Sequence, residues 1–209
     1  FNFGSLDETL TIADASHVSG SPADGGGGTD TLVAANGSDF SGFASLTNFE
    51  VLTPAAGATV TMSESQYEAF TTVNGNTGTE TIVLSSANGD GNVTGDADIE
   101  AYTLNGAFTF TIGTGGQSVT GNDADSQTVQ STAAVDTLSG TLNGGTGGSD
   151  TLVLATGDNI AGAMVSNFEN LTLGSGASVT MPADQQYSLS VTVTAVGTEQ
   201  IPLAPTDRA

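Results

Sequence analysis

Several residue types are missing from this chain of 209 residues, and each absence excludes a class of structure. There is no cysteine, which rules out disulfide bonds and thiolate metal sites. Tryptophan and lysine are absent too, and the single arginine is Arg208, so a mechanism that needs a lysine or an internal arginine is excluded. No run of about 18 apolar residues occurs, and a membrane-spanning helix is therefore not expected.

Negative charge is abundant instead. The chain has 23 Asp and Glu residues against one basic residue, for a formal net charge of -22. A field of this sign repels nucleic acid and anionic membranes, so we expect neither nucleic acid as a partner nor membrane insertion. Carboxylates in such excess either stay in water, where they keep a secreted protein soluble, or are neutralised by bound cations. Ca²⁺ is the candidate cation, because it prefers hard oxygen ligands on flexible loops.

Short strands joined by turns dominate the sequence pattern. The 29 glycines, with Thr, Ser, Asn and Asp between short apolar runs, predict an all-β protein. Clean alternation over residues 107–112 places Phe108, Phe110 and Ile112 on one face of a strand. A helical turn is predicted only at residues 63–70, where Ser63 would be the N-cap and Gln66 follows three residues later.

One segment of the chain is written twice. Residues 49–62 return as residues 168–181, at an offset of 119, with nine of the fourteen positions identical. Upstream of this segment, GGGGTDTLV (25–33) returns as GGTGGSDTLV (144–153). Internal repetition on this scale predicts an object built by stacking similar units, and it argues against a single catalytic pocket.

The spacing of apolar residues favours stacked coils. Leu32 and Val51 are 19 residues apart, and so are Leu152 and Leu171. Coils of roughly twenty residues are typical of a parallel β-solenoid, or β-helix, with short strands and Gly/Asp turns. Repeat domains of the β-sandwich type have strands at intervals of about 8–12 residues and are the alternative.

The repeat also predicts how the chain is divided. Residues 25–143 form a full unit of 119 residues, and residues 144–203 form a second, truncated copy. Residues 1–24 are predicted to be a partial repeat or N-terminal rung, and residues 204–209 a disordered tail. Because the chain does not begin with methionine, we expect a processed protein or a piece of a larger one.

Two acidic patterns supply candidate metal ligands. The run GGGGTDTLV fits the nonapeptide GGxGxDxUx, in which turn carbonyls and one Asp bind Ca²⁺ and the apolar residue packs inside. This makes Asp30 a candidate, and Asp150 its counterpart, although an extra residue precedes Asp150. The alternative is a tight turn that both aspartates cap. Residues 88–98 alternate Asp and Asn and add the candidates Asp90, Asp96 and Asp98, with solvated turns as the alternative.

Catalytic constellations are weak by comparison. Glu50 and Glu169 occupy matching positions after a phenylalanine, and an acid/base pair would need their carboxylates roughly 5–10 Å apart. The alternative is that the phenylalanine packs inside while the glutamate bonds to N–H groups of a neighbouring turn. His17 is the single histidine, and no GxSxG elbow accompanies it. We therefore expect no enzymatic activity.

Four motifs in chain order resemble the repeats of large secreted bacterial surface proteins. The motifs are GGxGTDTL, SNFENLTL, GASVTM with a Gln-Tyr segment, and GTE before an apolar strand. The resemblance is to RTX-type adhesins, β-strand-repeat proteins and calcium-dependent surface-layer proteins, and it covers most of the chain. It implies export in an unfolded state, folding on Ca²⁺ outside the cell, and a Ca²⁺ role for Asp30 and Asp150. The chain lacks the family's long nonapeptide array and a clear C-terminal export signal.

These observations predict a secreted, cell-surface structural protein. It would be a subunit or fragment of a self-assembling filament, surface layer or adhesin stalk, stabilised by Ca²⁺ and associated with further copies of itself. The alternative is an adhesin that binds a surface carbohydrate or ice through threonine-rich faces such as Thr59 with Thr61 and Thr109 with Thr111.

Overall fold

The parallel β-solenoid predicted from the sequence is confirmed. The computed structural model describes residues 1–13, 20–132, 137–174, 179–182, 185, 192–194 and 203–204, so His17 lies outside the described residues. Over this part the chain is nearly all β, and its parallel strands stack as a solenoid of about eight turns with almost no helix. A β-sandwich, whose sheets are antiparallel, is not what the chain forms.

The chain divides into two compact units. The first unit comprises Phe1–Asp90 with Asp98–Thr103, and the second comprises Gly91–Ala97 with Leu104–Ala209. The elements of the first unit are short: β1 (Thr9–Ile12), β2 (Pro22–Asp24), β3 (Thr31–Ala34), β4 (Ser45–Thr47), β5 (Val51–Pro54), β6 (Thr59–Met62), α1 (Glu64–Tyr67), β7 (Thr72–Val73) and β8 (Thr81–Leu84).

The second unit has strands of similar length. They are β9 (Asn92–Thr94), β11 (Thr109–Thr111), β12 (Ser118–Gly121), β13 (Thr128–Gln130), β14 (Thr141–Asn143), β15 (Thr151–Leu154), β16 (Met164–Ser166), β17 (Asn170–Leu173), β18 (Met181–Pro182), β19 (Thr192–Thr194) and β20 (Leu203–Ala204). The boundary between the two units falls within the remaining strand, β10 (Ala101–Leu104).

In the first unit, β1, β3, β5 and β7 form a parallel sheet in that order. Its register aligns Leu10, Leu32, Leu52 and Val73 in one column, and all four are buried. Alternate residues along each strand face opposite sides, so this column lies in the core. Leu32 pairs with Leu52, 20 residues further on, so this coil is one residue longer than the spacing of Leu32 and Val51.

In the second unit, the sheet order is β9, β11, β13, β15, β17 and β19. Val93, Phe110, Val129, Leu152 and Leu171 stack in register, and each is at most 2% exposed. Leu152 pairs with Leu171, and this coil has the 19-residue length that the spacing of the two residues indicated. The predicted apolar face of Phe108, Phe110 and Ile112 is also confirmed, because all three side chains are buried.

The remaining strands complete the coils. In the first unit, β2 pairs with β4 and β6 pairs with β8, both in parallel. In the second unit, β12, β14 and β16 pair in that order, and β18 pairs with β20, again in parallel. Helix α1 begins with the predicted capping box, in which Ser63 and Gln66 satisfy each other's backbone N–H groups. No helix in the described part is long and apolar enough to cross a membrane.

Candidate functional site

Acidic residues stand immediately before three neighbouring strands of the first unit, and we call Glu8, Asp30 and Glu50 the acidic column. They precede β1, β3 and β5, which pair in register, so the three residues stack one above another. The backbone N–H of Glu8 donates to Asp30 Oδ1 at 2.8 Å, and the N–H of Asp30 donates to Glu50 Oε2 at 2.8 Å. The carboxylates of Asp30 and Glu50 thus each accept a backbone N–H from the coil before them.

The second unit repeats this arrangement with Gln127, Asp150 and Glu169. The N–H of Gln127 donates to Asp150 Oδ1 at 2.7 Å, and the N–H of Asp150 donates to Glu169 Oε2 at 2.8 Å. Gln127 takes the place of Glu8, so this column has two carboxylates instead of three. The extra residue before Asp150 does not alter its hydrogen bonds, because the glycine-rich turn absorbs the insertion ahead of the strand.

The structural reading of the two glutamates is confirmed. Phe49 and Phe168 are buried, while Glu50 and Glu169 accept N–H bonds from the neighbouring coil. A carboxylate that accepts such a bond stabilises the backbone and is constrained in orientation. The acid/base interpretation gains no support from this geometry.

The central aspartate of each column has an oxygen without a partner. Asp30 and Asp150 are both 0% exposed, and the Oδ2 atom of each makes no hydrogen bond among the described residues. In the first unit Glu8 Oε2 is likewise buried and unpaired. Because a buried polar atom without a partner is costly, these atoms require a proton, a water molecule or a cation.

A glycine makes room for the unpaired oxygen. A Cβ atom on Gly25 would lie 1.8 Å from the carbonyl oxygen of Asn48 and 2.8 Å from Asp30 Oδ2, so both oxygens face the same side of Gly25. A Cβ on Gly144 would lie 2.1 Å from the carbonyl oxygen of Asn167 and 2.6 Å from Asp150 Cβ. A carboxylate and a carbonyl oxygen are the donor types that Ca²⁺ prefers.

Two asparagines hold those carbonyls in position. Asn48 and Asn167 have φ values of 55° and 56°, in the left-handed region that asparagine tolerates. The Nδ2 group of Asn48 donates to Asp24 Oδ1 at 2.7 Å, and that of Asn167 donates to Asn143 Oδ1 at 2.8 Å. The turn geometry is therefore duplicated along with the sequence.

One carboxylate in each column, Glu8 in the first and Asp150 in the second, has a raised pKa. Burial raises the pKa of Glu8, and the neighbouring Asp30 carboxylate raises it further. Burial also raises the pKa of Asp150, as does the charge of Glu169, while the N–H of Gln127 opposes the shift. A cation at Asp150 would offset the repulsion from Glu169.

A second acidic group forms around Asp90. Carboxylate oxygens of Glu64, Glu68 and Asp90 all lie within 4.8 Å of one another, an arrangement that could hold a metal ion. Glu64 is fully buried and its Oε2 accepts the N–H of Gly89 at 2.8 Å. Burial raises the pKa of Glu68, and the charges of Glu64 and Asp90 add to the shift.

Sequence reasoning found Asp90 but missed its two glutamate neighbours. The signal was present, because Glu64 and Glu68 are four residues apart at a predicted helical turn and such residues share one face. Asp96 and Asp98 do not belong to the group of three found in the described part. The backbone carbonyl of Asp96 accepts a bond from Gln117 Nε2, and that of Asp98 packs against Gly75. Metal binding by either side chain stays a prediction.

Comparison with known proteins adds no identification. Neither a protein-family model, nor a curated protein, nor a solved structure matches this chain.

Proposed function

We propose that this chain is a non-enzymatic, extracellular structural module of a filament, surface layer or adhesin stalk, and that Ca²⁺ stabilises it. The sequence resemblance, the net charge of -22 and the solenoid fold all support this proposal. One observation carries the Ca²⁺ part: in both copies, a buried aspartate oxygen without a partner lies at the glycine-rich turn.

Asp30 and Asp150 are the residues that would hold the ion, with the backbone carbonyl of Asn48 as a further ligand at Asp30. The ion would serve as a structural charge and would take part in no reaction. Its main effect in the first unit would be to offset the repulsion among the three carboxylates of the acidic column. Glu64, Glu68 and Asp90 are a second location at which the same cation could bind.

Thermal unfolding with Ca²⁺ and with a chelator tests the Ca²⁺ proposal. An ion that binds only the folded chain stabilises it by about 2.7 kcal/mol at a hundredfold excess over Kd. We expect Ca²⁺ to raise Tm and Mg²⁺ to raise it less. Asp30→Asn combined with Asp150→Asn should abolish most of the Ca²⁺ response.

Asp39→Asn is the matched control for the loss of charge. Asp39 Oδ1 caps Ser41 at 2.9 Å, a hydrogen bond that an asparagine oxygen can keep. This variant should respond to Ca²⁺ as the parent does. If the parent shows no Ca²⁺ response, or if the control loses as much of it as the double variant, the aspartate site is wrong.

Self-assembly is supported by the first coil. Strand β1 lies in this coil. Phe1 and Leu6 beside it are 57% and 74% exposed, which is unusual for large apolar side chains. An exposed apolar side chain such as Leu6 is suited to contact with another copy of the chain.

Sedimentation velocity over a range of protein concentrations tests this part of the proposal. The parent chain should form oligomers, and Leu6→Glu should shift them toward the monomer. Met164→Glu, at an exposed methionine of the second unit, is the control and should leave assembly unchanged. A parent that stays monomeric at high concentration with and without Ca²⁺ would exclude self-assembly.

A regular polar face supports the alternative function, an adhesin for carbohydrate or ice. Across the sheet of the second unit, one outward column runs in register through five residues: Asn92, Thr109, Thr128, Thr151 and Asn170. A parallel column two residues along the strands includes Thr94, Thr111, Gln130 and Thr172. Neither column contains a charged side chain over these residues. The second column is polar except at Val153. Neighbouring rows of both columns are about 4.7–4.9 Å apart.

Ice growth in the presence of the protein tests this alternative. Thr128→Tyr, at the centre of the first column, should abolish any inhibition of ice recrystallisation, because it interrupts the flat surface. Thr146→Tyr in an exposed turn should have no effect. Inhibition that survives Thr128→Tyr, or its absence in the parent, would remove this face as an ice-binding surface.

A further inference from the structure

A cleft beside strand β4 is distinct from the acidic columns. It has a volume of about 340 Å³ and lies between β4, the start of helix α1 and residues 86–88. Strand β4 pairs with β2 on one side, and among the described residues no strand pairs with its other side. Helix α1 follows β6, and the Nε2 group of Gln66 donates to the Phe40 carbonyl at 2.7 Å. This volume is within the range of small-molecule sites.

The lining of the cleft is polar and uncharged. Ser45, Thr47 and Ser86 line it, and in the described chain their hydroxyl groups make no hydrogen bond to protein. Asn88 Oδ1 accepts the N–H of Ser65 at 3.1 Å, an orientation that leaves its amide nitrogen as a donor. Leu46, which is half-buried, adds an apolar surface, and no lining residue is ionisable. Hydroxyl, amide and apolar groups therefore converge on one space.

We propose that this cleft binds a neutral saccharide. Hydroxyl and amide groups can donate and accept, which matches the hydroxyl groups of a sugar, while Leu46 offers apolar contact to its C–H groups. An anionic ligand would be repelled by the net charge of -22, and a metal ion would find no carboxylate in the lining. An apolar ligand would bury the free hydroxyls without partners.

An extended peptide is the occupant that the strand geometry disfavours. A peptide added to the edge of β4 would be held by main-chain hydrogen bonds, whose number is set by the length of the strand. Strand β4 has three residues, Ser45–Thr47, and offers few such bonds. The chemistry of the side chains therefore decides the occupant, and it favours the sugar.

The duplication supplies an internal comparison. The equivalent place in the second unit is a cleft of about 550 Å³ lined by Met164, Pro182 and Gln185 among others. Met164 stands where Ser45 does and Pro182 where Ser63 does, so this cleft has lost two hydroxyl groups. The fold accepts both linings, and only the first has the chemistry for a sugar.

The experiment is binding of the intact chain to an array of neutral, sialylated and sulfated oligosaccharides, followed by calorimetry with the strongest neutral binder. The parent should bind neutral hexose or N-acetylhexosamine oligomers and not the acidic ones. Ser45→Met, which copies the second cleft, should weaken binding about tenfold or more, because a hydrogen bond is lost and a bulky group enters. Thr47→Val, an exposed replacement of similar shape, should also weaken it.

Met164→Ser in the second cleft is the matched control, and it should not reduce binding. Circular dichroism establishes whether each variant is folded. If Ser45→Met does not fold, Thr47→Val alone tests the binding site. The proposal is wrong if no neutral oligosaccharide binds, if acidic ones bind equally, or if the folded Ser45 and Thr47 variants bind as the parent does. A peptide library could also be screened against the chain. If a peptide binds the parent and not Ser45→Met, and no sugar binds, the saccharide proposal is overturned in favour of strand addition. These outcomes are independent of the Ca²⁺ response, so failure here leaves the proposed structural role standing.

Discussion

The carboxylate of Glu50 accepts the backbone N–H of Asp30 from the preceding coil, at 2.8 Å. Asp30 in turn accepts the N–H of Glu8, so a line of like-charged residues is held together by bonds to the backbone. The same relationship joins Glu80 to Glu100, whose Oε2 accepts the Glu80 N–H at 2.9 Å. Acidic residues before these strands thus have a structural role, and any cation binding is added to that role.

Removing the acceptor from Glu50 should destabilise the fold, whereas removing only its charge should not. Glu50→Ala leaves the Asp30 N–H without its bond and should cost about 1–3 kcal/mol. Glu50→Gln keeps an oxygen acceptor and relieves repulsion within the acidic column, so we expect a smaller loss or none. Urea unfolding of both variants measures the difference. Equal losses would show that the negative charge, and not the acceptor, matters.

Asp150 should make stability depend on pH. Its pKa is raised in the folded chain, so the folded state holds this proton to higher pH than the unfolded state does. The associated stability is fully present below the ordinary aspartate pKa, about 3.9, and is lost as pH rises through the folded value. Asp150→Asn keeps an acceptor for Gln127 and does not titrate.

Urea titrations of the parent and of Asp150→Asn, in chelator and at successive pH values, test this dependence. The two proteins should have similar free energies of unfolding in acid, and the parent should become the less stable of the two as pH rises. A difference that is constant with pH, or that moves in the opposite direction, would contradict the raised pKa. Because the comparison is between two variants at each pH, the titration of the other carboxylates largely cancels.

Gly25 and Gly27, two residues apart in the same turn, should respond very differently to alanine. A Cβ on Gly25 would lie 1.8 Å from the Asn48 carbonyl, whereas on Gly27 the nearest atom would be 3.8 Å away. Gly25→Ala should cost more than about 2 kcal/mol, and Gly27→Ala should change stability by no more than about 0.5 kcal/mol. Thermal or urea unfolding measures both. Tolerance of Gly25→Ala would mean that the turn is looser than described.

The inward column of the second unit should carry much of its stability. Leu152 is 0% exposed and stacks between Val129 and Leu171, so Leu152→Ala should cost about 2–5 kcal/mol through lost burial and the cavity left behind. Thr151→Ala, one residue away and facing outward, should cost far less. Unfolding of the two variants in urea compares them. Similar losses would show that the strand does not alternate as described.

Local sequence patterns predicted much of the fold. Alternation placed Phe108, Phe110 and Ile112 inside, and the Ser63 and Gln66 pair located the start of the helix, because both features depend on residues close in sequence. The repeat predicted that Glu50 and Glu169 share one structural role. The exact register was beyond spacing alone, since the turn between β3 and β5 sets whether Leu32 meets Val51 or Leu52.

The candidate site was predictable only in part. Asp30 and Asp150 were identified from the glycine-rich run, but their complete burial and the position of the unpaired oxygens depend on Gly25, Gly144 and turns from the next coil. The grouping of Asp90 with Glu64 and Glu68 joins segments more than twenty residues apart. No local pattern specifies such a meeting.

The sequence by itself determined the composition of the rungs: which residues alternate, where glycine permits a turn, where acidic side chains precede strands, and that the unit occurs twice. These are properties of neighbouring residues and of the period of a strand. The tertiary structure decided which residue of one coil faces which residue of the next. That pairing fixes the acidic column, the polar outer face and the cleft beside β4, because each is formed by backbone hydrogen bonds and packing between coils about twenty residues apart.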